Sequence, residues 1–408
     1  MIKIEKPRIE HGIIDKRVVR LVSHVVNEKQ PLSDDIWFET TEEYGDYFCD
    51  EVCDAFVVAM LLPAVQTQQD IECDCISEKL LYNVNHTVTY LLQKAWGGRR
   101  IEIRASHQVN KHFNGFGVGT GCSLGVDSFS AILSHSAEYV SSAYQLTHLT
   151  YFNVGAFGSK NPIQAEESYQ NDLKKVRIFA SEYGLPLVTV KSNIGITNNE
   201  SSFDQTVVFR NAAATLTLQK LFARYYNGST VTDADTKITK DSYTYESILN
   251  PMLSTENTEL ILADPDKTRI EKTKFVASNP LVQKHLLVCW KEIFKNEWPQ
   301  YWKDIKDVAD KHRNCTRCDK CLRTCIALDF IGCLENYKDV FDLPEYYKNK
   351  NRYIEKIVQK RKSDVFCADM YNLMMEKHIK IPFSVRVKAC INDAKNWFMR
   401  IVKIIVCK

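Results

Sequence analysis

Gly119-Thr-Gly-Cys-Ser123-Leu-Gly125-Val-Asp127-Ser128 follows an apolar stretch and leads into Phe129-Ser-Ala-Ile-Leu133, which reads as a helix start. Glycines, small hydroxyls and a helix N-terminus thus converge on one point. Unpaired amides and the positive end of a helix dipole both favour an anion, so the point suits the pyrophosphate of a nucleotide. The run lacks the Gly-Lys-Ser/Thr ending of a Walker A loop. Leu124 is expected to resist the positive φ that a glycine would give the turn. The plainer alternative is an ordinary Gly/Ser loop.

Outward from this run, strand and helix alternate from about Phe113. Gly115 to Thr120 leads into the loop as a strand, and Leu146 to Phe152 is a second strand, ending at Asn153-Val-Gly155. Gln164 to Tyr183 reads as a helix closed by Gly184, Leu187 to Val190 as a strand, and Arg210 to Tyr226 as one long helix. This βαβ rhythm predicts a parallel sheet with ligands at the carboxyl ends of its strands. Asn227 to Glu246 is polar and reads as a surface excursion. Residues 1 to 112 read as a separate α+β unit, with strands at Val18–Val22, Ile36–Phe38 and Ile101–Arg104. Its helices are Asp54–Gln66 and Ser77–Trp96, the second with Leu80, Val84, Val88 and Leu91 on one face. Cys49, Cys53, Cys73 and Cys75 lack a convincing partner set there and read as structural thiols. Three regions are therefore expected: 1–112, 113–285 and 286–408.

The 408 residues carry a formal net charge of +2, with 45% hydrophobic and 25% charged side chains. That composition is ordinary for a globular chain and does not by itself announce a nucleic-acid or membrane partner. The charge is unevenly placed. Asn351 to Lys408 holds 13 Lys/Arg against 5 Asp/Glu, a net of +8, leaving −6 for the rest. That tail reads first as a solvated helix face, with an acidic partner or RNA as the alternative. The N-terminus Met1-Ile-Lys-Ile-Glu-Lys does not read as a signal peptide, and no apolar run reaches 18 residues, so a cytoplasmic location is expected. The apolar run Trp397–Cys407 is broken by Arg400 and Lys403 and reads as a packed helix or strand. The chain holds 14 cysteines, which without secretion argue for reduced thiols, and for metal where they cluster.

They cluster at Cys315-Thr-Arg-Cys318-Asp-Lys-Cys321, two consecutive Cys-x-x-Cys steps. Cys289, in Leu287-Val-Cys-Trp290, supplies a fourth thiol, and four thiolates make a closed tetrahedral Zn²⁺ site. Cys325 offers a rival fourth ligand in the spacing of an iron–sulfur run, although Ile326 stands where proline usually follows. Zinc through Cys289, Cys315, Cys318 and Cys321 is preferred.

The order Ser123-x-Gly125-x-Asp127-Ser128 resembles the PP-loop of ATP pyrophosphatases, with Leu124 at the first glycine of the usual motif. The loop with the later cysteine cluster resembles the 7-cyano-7-deazaguanine synthase family of QueC-like proteins, over roughly Phe113 to Leu334. Arg210-Asn211 matches that family's Arg-Asn at a helix start, and Cys289-Trp290 its lone upstream cysteine before an aromatic. Thr316 replaces the family's glycine after the first cluster cysteine. The N-terminal unit and the tail have no counterpart in the compact enzyme and liken the chain to QueC-like proteins of antiphage operons, thought to attach a deazaguanine to a partner protein.

The resemblance implies an adenine-nucleotide α-hydrolase-like, Rossmann-like domain binding ATP with Mg²⁺. It implies that Ser123, Gly125 and Ser128 hold the pyrophosphate, that Asp127 holds Mg²⁺ or fixes the loop, and that Arg210 meets phosphate or a substrate carboxylate. Asn211 would read a base edge, and Asn153 and Gly155 would border the adenine. Lys272, in the cationic run Lys267, Arg269, Lys272 and Lys274, would face phosphate. The plainer readings are a helix N-cap for Asp127, a surface ion pair for Arg210, a helix cap for Asn211, a turn for Asn153 and Gly155, and a solvated face for Lys272. The implied reaction adenylates a carboxylate, 7-carboxy-7-deazaguanine, and passes it to ammonia or to an amine of a partner protein. The zinc site would be structural. Rival expectations are a tRNA-thiolating PP-loop enzyme with an iron–sulfur cluster, and a degenerate PP-loop protein that only binds nucleotide and a partner.

Overall fold

The computed structural model describes residues 1–12, 17–29, 32–157, 162–197, 201–389 and 391. The run Trp397–Cys407 lies outside them. The fold is mixed α/β around a large, mostly parallel sheet, and the chain divides into two compact units. The first is Met1–Asp266 with Glu292–Pro299; the second is Lys267–Lys291 with Gln300–Lys408.

The first unit is built on eleven strands: β1 Ile2–Ile4, β2 Arg8–His11, β3 Val18–Asn27, β4 Leu32–Thr41, β5 Ile71–Ser77, β6 Ile103–Val109, β7 Gly117–Gly121, β8 His148–Asn153, β9 Leu187–Ser192, β10 Phe222–Gly228 and β11 Glu259–Ala263. Their order is β11-β10-β7-β8-β9-β4-β3-β1-β5-β6, with β2 paired to β3. The strands from β7 to β11 are all mutually parallel. Counting β7 as first, they run 3-2-1-4-5 across the sheet, so the chain reverses direction between β7 and β10. Such a reversal opens a crevice at the carboxyl ends of the strands.

β4 pairs antiparallel with β9, Phe38 opposite Ser192 and Glu39 opposite Lys191, and joins the N-terminal strands to this parallel block. The core is continuous across the join. The helix Asp54–Thr67 is buried at Phe56, Val58 and Leu61, in one hydrophobic cluster with Phe209, Ala213 and Leu216 of the helix Phe203–Leu216. Asp54, fully buried, accepts the Ser77 amide at 2.8 Å, the Ser77 hydroxyl at 2.5 Å and the Gln219 side-chain amide at 2.9 Å. The boundary expected at 112 thus falls inside one unit, and the boundary expected at 285 falls inside the other, which begins at Lys267.

Two local expectations are corrected. The span Arg210–Tyr226 is not one helix: a helix occupies Phe203–Leu216, and Phe222–Gly228 is strand β10. Ser202 and Gln205 form a capping box that starts the helix seven residues earlier than expected. Phe222, Tyr225 and Tyr226 are aromatics that pack on a sheet as well as on a helix. The span Ser77–Trp96 contains a π-helical turn at Val84–Val88 between α-helical segments. Its loosened carbonyls have a taker, because Arg100 donates to Asn85 O and, at 2.8 Å, to His86 O.

The second unit is helical, with helices Arg269–Val276, Pro280–His285, Asp319–Phe330, Leu343–Lys360 and Val365–Glu376 around the cysteine cluster. Among the described residues no helix is long and apolar enough to cross a membrane.

Candidate functional site

The loop after β7 turns through a left-handed residue in spite of its leucine. Leu124 takes φ +60°, the left-handed region in which it was expected to be uncomfortable. Its side chain is fully buried. Holding an L-residue there costs about 1–2 kcal/mol, and burying a leucine returns about 1.5–3 kcal/mol, so packing carries the strain. Gly125 is then the N-cap of the helix Val126–Ser134, and Asp127 lies in its first turn. Asp127 is therefore not the N-cap; its charge faces the positive end of the helix dipole.

Ser128 braces the loop. Its hydroxyl donates to Gly121 O at 2.6 Å and accepts the Ser123 amide at 3.1 Å. The proton of that hydroxyl is committed to the loop's own backbone, so Ser128 shapes the turn. The Ser123 hydroxyl is exposed and accepts the Gly125 amide at 3.4 Å. Neighbouring strands close in on both sides. The Cys122 amide donates to Thr150 O on β8 at 2.8 Å, and Thr120 Oγ1 donates to Tyr226 O on β10 at 2.8 Å. A Cβ on Gly228, at the end of β10, would come within 3.0 Å of Asp127 O. That approach needs a glycine and fixes where the Asp127 backbone lies.

Arg210 reaches the same ends of the strands from the middle of the helix Phe203–Leu216. Its Nη1 donates to Gly155 O, just beyond β8, at 2.9 Å. Gly155 takes φ +94°, and a Cβ there would meet Nη1 at 2.5 Å. The guanidinium is 6% exposed and its Nε has no hydrogen-bond partner. Burial pushes its pKa down to about 10. The plainer reading of Arg210 as a surface ion pair fails: the cation is buried against a carbonyl. A desolvated guanidinium with donors to spare is costly unless an anion comes to it. The helix is held at the turn before Arg210 by Ser242, whose buried hydroxyl donates to Asp204 O at 3.1 Å and accepts the Val208 amide at 3.3 Å. Nothing in the polar excursion 227–246 had singled out Ser242.

Asn211 follows Arg210 eight residues into the helix, so it caps nothing. Asn153 is the last residue of β8, opposite Lys191 on β9. The structure thus gathers Ser123, Gly125, Asp127, Ser128, Asn153, Gly155, Arg210 and Asn211 in the first unit, around the carboxyl ends of β7 and β8 and the helix Phe203–Leu216. Lys272 belongs to the second unit, on the helix Arg269–Val276, with 1% of its side chain exposed. Its reading as a solvated face is excluded by that burial.

The cysteine cluster closes within the second unit. Cys289, Cys315, Cys318 and Cys321 are all buried, with their sulfurs within 4.8 Å of one another. Individual Sγ···Sγ separations are 3.4 Å for Cys318–Cys321, 3.8 Å for Cys315–Cys321 and 4.0 Å for Cys318–Cys289. A tetrahedron with Zn–S bonds of about 2.3 Å spaces its sulfurs by about 3.8 Å. The four residues could therefore bind one metal ion such as zinc. Cys325 is buried outside this set, in the helix Asp319–Phe330. A polynuclear iron–sulfur cluster spreads its thiolates over several irons, which suits this tight group poorly. Hydrogen bonds from Cys289, Cys318 and Cys321 hold the Cys315 thiol far below its ordinary pKa, while burial pushes Cys289 and Cys321 up.

Asn314 sets the two arms of this cluster in register. Its Oδ1 accepts the amides of Val288 at 2.8 Å and Cys289 at 3.1 Å. Its Nδ2 donates to Leu286 O at 2.9 Å and Val340 O at 3.1 Å. Fully buried, it uses its whole hydrogen-bonding capacity to hold Cys289 against the Cys315 turn. In that turn Thr316 takes φ +57°, and its hydroxyl accepts the Asp342 amide at 3.0 Å. Sequence reasoning had no signal for Asn314 beyond its place beside Cys315.

No protein-family model, curated protein or solved structure matches this chain.

Proposed function

We propose that the protein is an ATP-dependent ligase of the PP-loop type, which adenylates a carboxylate and passes the activated acyl group to an amine. The observation that carries the reading is the buried, acid-free Arg210 guanidinium at the strand ends where the left-handed Leu124 loop opens a helix. A carboxylate is a poor electrophile at neutral pH; adenylation makes its oxygen a leaving group. The loop amides and the first turn of the helix Val126–Ser134 receive the departing pyrophosphate. Arg210 faces phosphate or the substrate carboxylate, and Asp127 takes Mg²⁺. Asn211 and Asn153 orient the nucleotide, and the cysteine site holds the second unit together.

The two residues that replace glycines of the 7-cyano-7-deazaguanine synthase pattern, Leu124 and Thr316, both take the left-handed backbone a glycine would supply. This supports the resemblance to that family, from which 7-carboxy-7-deazaguanine is taken as the carboxylate. The acceptor is ammonia, or an amine of a partner protein.

The test is incubation with ATP, Mg²⁺ and 7-carboxy-7-deazaguanine, with and without ammonium, followed by mass spectrometry. A nitrile or amide formed with ammonium supports a synthase. AMP or an adenylate without released product points to a protein amine as acceptor. No AMP and no substrate turnover would remove this substrate from the proposal.

A further inference from the structure

The charge of this chain separates along the boundary between its two units. Lys267–Lys291 with Gln300–Lys408 holds 29 Lys/Arg against 15 Asp/Glu, a net of +14. Met1–Asp266 with Glu292–Pro299 holds 24 against 36, a net of −12. A total of +2 conceals this partition. Folding does not need it, since a unit of high net charge repels itself.

Within the second unit the helix Leu343–Lys360 organises part of this excess. Tyr346, Tyr353, Ile357 and Val358 are buried on its inner side. Lys348, Arg352, Lys356 and Lys360 follow one another at steps of four, so they run along one side of the helix. Lys348, Arg352 and Lys360 are exposed, Lys348 at 73% of its side chain even though its Nζ lies 3.7 Å from Glu345 one turn back. Glu355 interrupts this side, and Lys388 covers it at 2.9 Å. Lys356 pairs with Asp319 and leans toward the helix Asp319–Phe330. Cations in the last turn favour the helix dipole, which accounts for Lys360. The dipole does not account for Lys348 and Arg352 farther back.

We infer that this cationic side of the helix Leu343–Lys360 binds the phosphate backbone of a nucleic acid. The four positions span about 18 Å at 1.5 Å per residue, close to five steps of a strand rising about 3.4 Å each. Exposed Asn351 lies among them, and Gln359 keeps one amide proton beyond its bond to Glu355 at 3.1 Å, so both are able to meet sugar and phosphate oxygens. Tyr347, half exposed beside Lys348, offers a face on which a base can stack. A membrane-surface helix presents an apolar face outward; this one buries its aliphatic residues and shows cations and amides. The inference does not rest on the ligase reading.

Counterion release makes the test quantitative. Three phosphates neutralised by Lys348, Arg352 and Lys360 lower the affinity about 20-fold for a single strand, and about 40-fold for a duplex, between about 50 and 200 mM salt. Fluorescence anisotropy of the full chain with labelled single-stranded RNA, single-stranded DNA and duplex DNA reads that slope and separates the three sources of phosphate. The variant Lys348→Gln, Arg352→Gln, Lys360→Gln keeps Lys356 with Asp319 and is expected to remove this dependence. Metal content and urea unfolding check that the variant is folded. Should it not be, Arg352→Glu at an exposed position replaces it, with a loss of at least tenfold expected. Absence of binding at low salt, an unchanged slope in the folded variant, or binding to phosphatidylserine vesicles with none to oligonucleotides would each overturn the inference.

Discussion

Leu124 poses a choice that magnitudes can decide. A leucine at φ +60° invites replacement by glycine, which takes that conformation freely. The relief is about 1–2 kcal/mol. The same change deletes a fully buried side chain, and large-to-small changes of that kind cost about 2–5 kcal/mol. Glycine also gains freedom in the unfolded chain, costing about 0.5–1 kcal/mol more. Leu124→Gly is therefore expected to destabilise the protein by about 0.5–5 kcal/mol, in the direction opposite to the backbone argument. Leu124→Ala loses the same packing and keeps the strain. The glycine variant should thus be the more stable of the two, by up to about 1 kcal/mol. Urea unfolding followed by intrinsic fluorescence measures all three proteins. A glycine variant as stable as the wild type would mean that the leucine contributes nothing to the core. An alanine variant clearly above the glycine variant would mean that the backbone is not left-handed there.

Other expectations follow from the same geometry. Arg210→Met removes a buried cation without an acid partner, so the ligand-free protein should keep or gain stability while ATP-dependent AMP formation falls at least about 100-fold; a stability loss above about 3 kcal/mol would reveal a structural role instead. Cys289→Ser should abolish one bound zinc per chain and unfold the second unit by circular dichroism, whereas Cys325→Ser should leave the zinc content unchanged. Asn314→Ala should lower zinc affinity about 10–100-fold by releasing Cys289 from its register, read by competition with a chelator. Burial, against three hydrogen bonds, pushes the Asp54 pKa from 3.8 up to about 6. The folded state then holds more protons than the unfolded state across that window, so stability falls as pH rises through it, by about 3 kcal/mol in all. Asp54→Asn should remove this slope between pH 4 and 6 in urea titrations, and an unchanged slope would assign it to other groups.

The turn that opens the helix Val126–Ser134 and the cysteine quartet were legible because each is local or repeats at a fixed spacing. Ser123 to Ser128 is one turn of chain, and Cys315, Cys318 and Cys321 follow one another at three-residue steps. What failed was decided at long range. Phe222–Gly228 becomes a strand because β7 and β11 lie on either side to pair with it; without them its aromatics continue a helical pattern as easily. The boundary expected at 112 dissolves because two residue pairs between β4 and β9 carry the sheet across it. Arg210 was legible as a residue of interest but not as a buried one, since burial depends on Gly155 leaving room for it. Ser242 and Asn314 act through single hydrogen-bonding side chains with no pattern around them. Lys272 was picked from a cationic run in which only its burial sets it apart.

The join between β4 and β9 also sets an order in time. Phe38 meets Ser192 and Glu39 meets Lys191, so one edge of β4 has no partner until more than 150 further residues have been made. At about 5–20 residues per second, that interval is about 8–30 s of synthesis. A bare strand edge is a template for the wrong chain throughout it. β4 carries Asp35 and Glu39 among its apolar residues, and charges on an unpaired edge discourage a neighbouring nascent chain from docking there. Glu39, which ends in ion pairs with Arg20 and Lys191, thus serves the chain before it is folded as well as after.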